Sequence, residues 1–422
     1  MPKLAIKSGK PVRKNPFSVY PVFGEEEIEA AIRVIKSGKL CSGVGNEAEK
    51  FEKEFANYHD VPFAIAVSNG TTGLHTALAS SGIGVGDEVI VTPYTFLSTA
   101  TCVLMQNAIP VFADIEPKTL GLDAQKVFNK ITKRTKAIIL VHMNGFPAVH
   151  LKEIKKLALK HKLILIEDCS HAHGAEFRGK KVGTFGDFGV FSFQQKKNLS
   201  VGEGGMLITT NNDLDEKAKA FRSFGAVPLA YNYRMTELHA AIGRVRLKRL
   251  DTENRQRIKN AGYLNQGLKG LRGIEVQIPY PGTKAVYYNY IIKYNEKELG
   301  VSRKDFISAI EAEGILIPQI YAPLYRHSTF QIRNAYNLGC PFTCPYYKAP
   351  GAEWPNYQDG SCPVAEETCD KRNIEIKIHP PAGKTEMEDI AVAFRKVVEN
   401  ITELRKTSVR WPKGRLQNIN FN

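Results

Sequence analysis

Between about residues 60 and 210, short apolar runs alternate with longer amphipathic stretches, and that order leaves the chain few ways to fold. Gly86-Asp-Glu-Val-Ile-Val-Thr92, Pro110-Val-Phe-Ala-Asp114, Ala137-Ile-Ile-Leu-Val-His142 and Leu163-Ile-Leu-Ile-Glu-Asp168 read as strands buried on both faces. Between them, Leu151, Ile154, Leu157 and Ala158 recur at helical spacing. Repeated strand-then-helix order predicts an α/β domain, its mainly parallel sheet covered by helices on both faces, with ligands bound beyond the carboxyl ends of the strands. A long helical pattern from Arg234 to about residue 262 closes this large domain, which is expected over 24–262. Residues 263–404 mix strands such as 287–293 with helices such as 303–312, around a Pro-, Gly- and Tyr-rich stretch from 340 to 364. They predict a smaller α+β domain with one long loop.

The formal charge of +15 raises the question of a nucleic-acid partner, so its placement matters. Residues 1–23 carry Lys3, Lys7, Lys10, Arg13 and Lys14 with no acid, and residues 405–422 carry Arg405, Lys406, Arg410, Lys413 and Arg415 with none. Ten of the fifteen net charges therefore sit at the ends, which read as a solvated basic arm and a basic tail rather than a nucleic-acid footprint. No apolar run reaches eighteen residues and the first ten residues lack an apolar secretory core, so no membrane span or signal is expected and the cytoplasm is the default location. Seven cysteines in such a chain argue for reduced thiols. Cys340, Cys344, Cys362 and Cys369 could be drawn as a zinc site, but their spacing departs from paired knuckles, and no metal is expected.

The densest chemistry lies in Ser192-Phe-Gln-Gln-Lys-Lys-Asn-Leu-Ser-Val-Gly-Glu-Gly-Gly205. A lysine amine condenses with an aldehyde only when neutral, and it needs backbone room beside a bulky partner. Gly202, Gly204 and Gly205 give that room, and Lys196 beside Lys197 would disfavour a second charge. Alone, the pair is equally an exposed basic turn. Asp168 ends an apolar strand on the ligand side, where a carboxylate can cap a turn or hold a proton on a heterocyclic nitrogen. Val67-Ser-Asn-Gly-Thr-Thr-Gly73 leads from a strand into a helix, and Ser192 could add a hydroxyl to an anion bound at that helix start. Phe96 follows a strand and could stack on a planar ring or fill the core. Tyr231-Asn-Tyr-Arg-Met-Thr-Glu-Leu238 opens the long helix as a polar turn.

In this order the motifs become recognisable. Gly70-Thr71 before a helix, the aromatic after Pro93, Glu167-Asp168-x-x-His171, Ser192-Phe-x-x-x-Lys197-x-Leu, Gly-Glu-Gly-Gly and Asn-Tyr-Arg-Met-Thr-Glu together resemble the DegT/DnrJ/EryC1/StrS family of sugar aminotransferases, over about residues 18–400. The resemblance implies a type I pyridoxal-phosphate transferase fold and a homodimer with active sites at the subunit interface. It also implies amino transfer from an amino-acid donor, glutamate or glutamine, to a keto-sugar or keto-cyclitol. By the family spacing, Lys197 rather than Lys196 is the Schiff-base lysine. Asp168 would pair with the pyridine nitrogen and His171 would lie near the phenolic oxygen. Gly70, Thr71 and Ser192 would hold the phosphate, with Asn232 reaching it from the partner subunit, and Phe96 would stack on the ring. The Cys340–Cys369 loop and His379 resemble the branch acting on inososes and related rings, while a nucleotide-linked keto-sugar remains an alternative. A sugar dehydratase offshoot carries histidine where this chain has Lys197. A desulfurase or decarboxylase of the same fold is disfavoured by the Asn-Tyr-Arg-Met turn, and a non-catalytic regulator by the Lys197–Asp168 pair.

Overall fold

Residues 2–225, 229–318, 321–347 and 355–405 are described in a computed structural model of the chain. Seven strands form the main sheet: β1 (Phe63–Val67), β2 (Glu88–Val91), β3 (Ile109–Phe112), β4 (Thr135–Val141), β5 (Ile164–Asp168), β6 (Phe188–Ser192) and β7 (Gly205–Thr209). Their order across the sheet is β1-β7-β6-β5-β4-β2-β3. All run parallel except β7, which is antiparallel to both neighbours, β1 and β6. The four apolar runs picked out in the sequence are β2 to β5.

Successive residues of a strand point to opposite faces, and the two sets here enter two different cores. Ile65, Val67, Ile139, Val141, Ile166 and Val190 join one cluster, while Ala64, Ala66, Ile138, Leu140, Leu165 and Phe191 join the other. Helix α1 (Glu25–Ser37) and α2 (Glu47–His59) precede the sheet. Then come α3 (Gly70–Ser80), α4 (Ser98–Met105), α5 (Leu151–His161), α6 (Asn212–Arg222) and the long α7 (Glu237–Gly267). The stretch between 324 and 369, placed by sequence in the small domain, packs its Tyr325, Phe330, Phe342, Tyr357 and Cys362 into the first large-domain core. There the Tyr357 hydroxyl donates to the carbonyl of Pro110 on β3 (2.6 Å), and the N–H groups of Val364 and Ala365 donate to Asp114 (3.0 Å each). Cys362 and Cys369 are buried apolar contacts in that core.

A second sheet of β8 (Ile274–Val276), β9 (Tyr290–Tyr294) and β10 (Asn373–Ile376), in the order β8-β9-β10, is covered by α8 (Arg303–Ala312) and α9 (Lys384–Glu399). The N-terminal segment, expected to be a solvated basic arm, is instead folded onto this unit. Leu4 is fully buried, and the N–H groups of Ala5 and Val12 donate to the carboxylate of buried Glu313 (2.8 and 3.1 Å). Arg13 pairs with Asp389 at 2.7 Å. Each acid lies some 300 residues away in sequence, so local composition could not reveal the pairing. Most of the basic tail at 405–422 lies outside the described residues; Arg405 itself donates to the carbonyl of Leu299 (2.9 Å).

Glu313 also holds the buried Lys396 ammonium at 2.7 Å. Removing one partner of a buried pair leaves the other charge uncompensated, at a cost of about 3–5 kcal/mol. Glu313→Ala should lower unfolding free energy by about that amount in urea titrations and expose residues 2–13 to limited proteolysis.

Candidate active site

Four strand ends and one helix start meet on the carboxyl side of the main sheet. At the end of β1, Asn69 caps α3: its side chain accepts from the N–H of Thr72 (2.9 Å) and the Thr72 hydroxyl takes the N–H of Asn69 (3.2 Å). This fixes the first turn, whose N–H groups at Gly70 and Thr71 have no partner inside the helix and carry the positive end of its dipole. Gly70 is required there by space. A Cβ at that position would stand 2.8 Å from the Cβ of Ser192 and 3.4 Å from the hydroxyl of Ser170. Two serine hydroxyls and a helix start thus converge, a ready anion cradle. Gly205 allows the same approach from the other side, since its Cβ would meet the Asn69 carbonyl at 2.6 Å.

Asp168 ends β5 and is buried. Its carboxylate accepts from the N–H of Ser170 (3.0 Å) and the Thr99 hydroxyl (3.2 Å). Behind it, Glu167 accepts N–H bonds from Gly183, Phe185 and Gly186 and pairs with His142 at 2.8 Å. Burial would raise this carboxyl, but His142 and those donors hold it below its ordinary value. Among the described residues His142, Glu167 and Cys169 form the one group with metal-ligand geometry, and the bonds just named already occupy the carboxylate.

Lys196 and Lys197 are separated by the fold. Lys196 is exposed, whereas Lys197 is half-buried with its ammonium 4.8 Å from the centre of the Tyr288 ring. Burial lowers the Lys197 pKa to about 8, against the opposing pull of Asp168. The neighbouring Lys196 is not among the causes for Lys197; its charge acts instead on Lys377. The Lys197 backbone is held from below. The Tyr20 hydroxyl lies 3.0 Å from the carbonyl oxygens of both Lys197 and Asn198 and accepts from the fully buried Arg257 (2.8 Å).

His171 is buried and stacks on Tyr288, with centroids 3.9 Å apart. Burial, followed by the charges of Lys197 and Lys377, holds it well below its usual pKa, so the ring is neutral at pH 7. Among the described residues its Nδ1 has no hydrogen-bond partner. Phe96 is 54% exposed, unlike a core phenylalanine, three residues before Thr99, whose hydroxyl donates to Asp168. Asn232 is exposed on the turn before α7, paired through its backbone to Ser223, and so stands apart from the buried cluster. Tyr20, Tyr288, Arg257 and Lys377 escaped the motif reading. Glu375, Lys377 and His379 alternate with Ile374, Ile376 and Ile378 along β10 and the three residues after it, and Glu375 and His379 are buried here while Lys377 is half-buried.

Comparison with known proteins fits this geometry. The chain belongs to the DegT/DnrJ/EryC1/StrS aminotransferase family, whose model matches residues 21–349. It is 38% identical over 427 residues to the L-glutamine:2-deoxy-scyllo-inosose aminotransferase of Streptomyces kanamyceticus, covering 94% of this chain and 97% of that one. It is 40% identical over 294 residues to the GDP-perosamine synthase of Caulobacter vibrioides, 67% of this chain and 78% of that one. The solved aminotransferase of Psychrobacter cryohalolentis superposes with a TM-score of 0.81 at 30% identity, over 92% of this chain and all of the other. The protein is therefore a pyridoxal-phosphate-dependent aminotransferase of the type I fold. Its own residues fit that cofactor: an anion cradle at Gly70, Ser170 and Ser192, a buried carboxylate, an unpartnered imidazole nitrogen and a lysine of lowered pKa.

A lysine whose pKa is lowered is charged below that value and nucleophilic above it. In the apoprotein, acylation of the peptide carrying Lys197 should rise through a midpoint near pH 8 when followed by mass spectrometry. Acylation of surface lysines should rise nearer pH 10.

Proposed function

We propose that this enzyme moves an amino group from glutamate or glutamine to the ketone of a cyclitol or sugar ring, in amino-sugar biosynthesis. The observation that carries the reading is the near full-length similarity to inosose aminotransferases, joined to a site whose half-buried lysine has its pKa lowered against the pull of Asp168. Bound pyridoxal phosphate supplies an electron sink for the carbanion left when the donor loses its Cα proton. In this reading Gly70, Thr71 and Ser192 hold its phosphate and Asp168 keeps its ring nitrogen protonated. Phe96 would stack on its ring, and His171 would lie beside its phenolic oxygen. Lys197 tethers the cofactor and, once released by the donor, carries the Cα proton as a neutral base. The acceptor ketone is then aminated by the same groups acting in reverse. The similarity to GDP-perosamine synthase favours, as a second reading, a nucleotide-linked keto-sugar. A non-catalytic regulator would have no need of a lysine with lowered pKa facing a buried carboxylate. Seven free thiols support a reducing compartment, the cytoplasm.

Borohydride reduction of the holoenzyme followed by peptide mapping should leave the pyridoxyl group on Lys197. Lys196→Ala should retain it, and Lys197→Ala should lose both the label and transfer activity. Label on Lys196 in the wild type would sink the assignment. Screening inososes against nucleotide-linked keto-sugars, with the pyridoxamine form as amino source, separates the two acceptors.

The enzyme is also read as a homodimer that completes each site with Asn232 of the partner subunit. Helix α1 buries Ala30 and Val34 against α7 but leaves Ile28, Ile32 and Ile35 exposed at 46, 44 and 61%, a stripe with helical spacing. Leu40, at 51%, adds to the exposed apolar side chains just after it. Ile32→Glu should shift the protein to a monomer in light scattering and reduce cofactor occupancy together with it.

A further inference from the structure

Tyr288 stands at the centre of a group of nitrogen donors. His171 covers one face of its ring, with planes 13° from parallel. The Lys377 ammonium stands 3.4 Å from the ring centre, a distance that only the opposite face leaves open. Lys197 lies 4.8 Å from the same centre, and the His379 ring is 6.2 Å away. The one hydrogen bond of Lys377 among the described residues runs to the carbonyl of Tyr288 (3.1 Å), and no carboxylate there is within ion-pair reach of it. Glu375, two residues earlier at the end of β10, accepts from Tyr94 and from Asn289 at 2.5 Å each and draws on the Lys377 charge only from beyond ion-pair distance.

A further donor here lacks an acceptor among the described residues. Arg257 Nε–H donates to His379 Nδ1 (3.1 Å), and a guanidinium cannot accept, so the His379 proton sits on Nε2. Among the described residues that Nε2 is buried without a partner, as is Nδ1 of His171, a donor or an acceptor according to its tautomer. Burial holds the half-buried Lys377 amine well below its ordinary pKa against the pull of Glu375, so its charged form is unfavourable on its own and a bound anion favours it.

We propose that Lys377 is the cation that binds the α-carboxylate of the amino-acid donor, and so selects amino acids over simple amines. The proposal rests on the aminotransferase reading above. It follows from where the charge sits. The donor must present its Cα to Lys197, and its carboxylate is attached to that same carbon. Lys377 borders the same tyrosine ring as Lys197. An uncharged keto-cyclitol carries no anion to pair with it, and the phosphates of a nucleotide-linked sugar lie several bonds from the reacting ketone.

The two half-reactions are measured separately in wild type, Lys377→Met and Lys377→Arg holoenzymes, with glutamine or its α-amide as donor. Loss of a charge-assisted hydrogen bond should raise the donor KM of Lys377→Met about 10- to 100-fold. It should also abolish the preference for glutamine over the amide and leave the acceptor KM unchanged. Arginine should restore part of the preference. Calorimetric titration with glutaramate, which is glutamine without its amine and cannot react, should show the same loss of affinity. An unchanged donor preference, or a rise confined to the acceptor KM, overturns the proposal. A wild type that releases no keto acid from either glutamine or glutamate overturns the aminotransferase reading instead, and the glutaramate titration still reports on Lys377.

Discussion

The site depends on keeping the amine of Lys197 partly out of water while a carboxylate faces it. Desolvation disfavours the ammonium and Asp168 favours it, and the balance leaves a lysine that is charged at rest yet within reach of neutrality at physiological pH. Neither group could do this alone. A fully solvated lysine would stay protonated, and one buried without Asp168 would be pushed lower still. The same enclosure neutralises His171, so one act of burial sets the protonation of two neighbours.

That enclosure is assembled from both domains. The large sheet contributes Asp168 and Ser192 from strand ends and Gly70 from a helix start, while Tyr288 and Lys377 arrive from the smaller unit. The N-terminal segment joins them, since the chain that begins under Glu313 ends with Tyr20 beneath the Lys197 carbonyl. Arg257, fully buried on α7, ties Tyr20 to His379 and Glu253, so the turn carrying the lysine is braced by three distant parts of the sequence.

Much of this was legible in the sequence, and the limits have physical causes. The strands β2 to β5 could be read because burial on both faces demands continuous apolar runs. Asp168, Ser192 and Lys197 could be read because the glycines and strand ends around them restrict what those residues can do. The basic N-terminal segment was misread because the acids that receive Arg13 and the N–H groups of Ala5 and Val12, Asp389 and Glu313, lie hundreds of residues away in the chain. Lys377 was hidden by its alternation with isoleucines, a pattern that normally marks a solvated strand face. The tuning of Lys197 was assigned to Lys196 because sequence adjacency does not say which group a charge acts on.

The single antiparallel strand has a consequence for how the protein assembles. Because β7 runs back along β6, with Ser192 paired to Gly205, the segment bearing Lys197 is a hairpin connection rather than a crossover. Hairpin contacts close a short loop and lose little chain entropy, whereas parallel neighbours must await an intervening helix. The lysine and the serine of the anion cradle therefore belong to one local folding unit, and Asp168 joins them only when β5 docks beside β6.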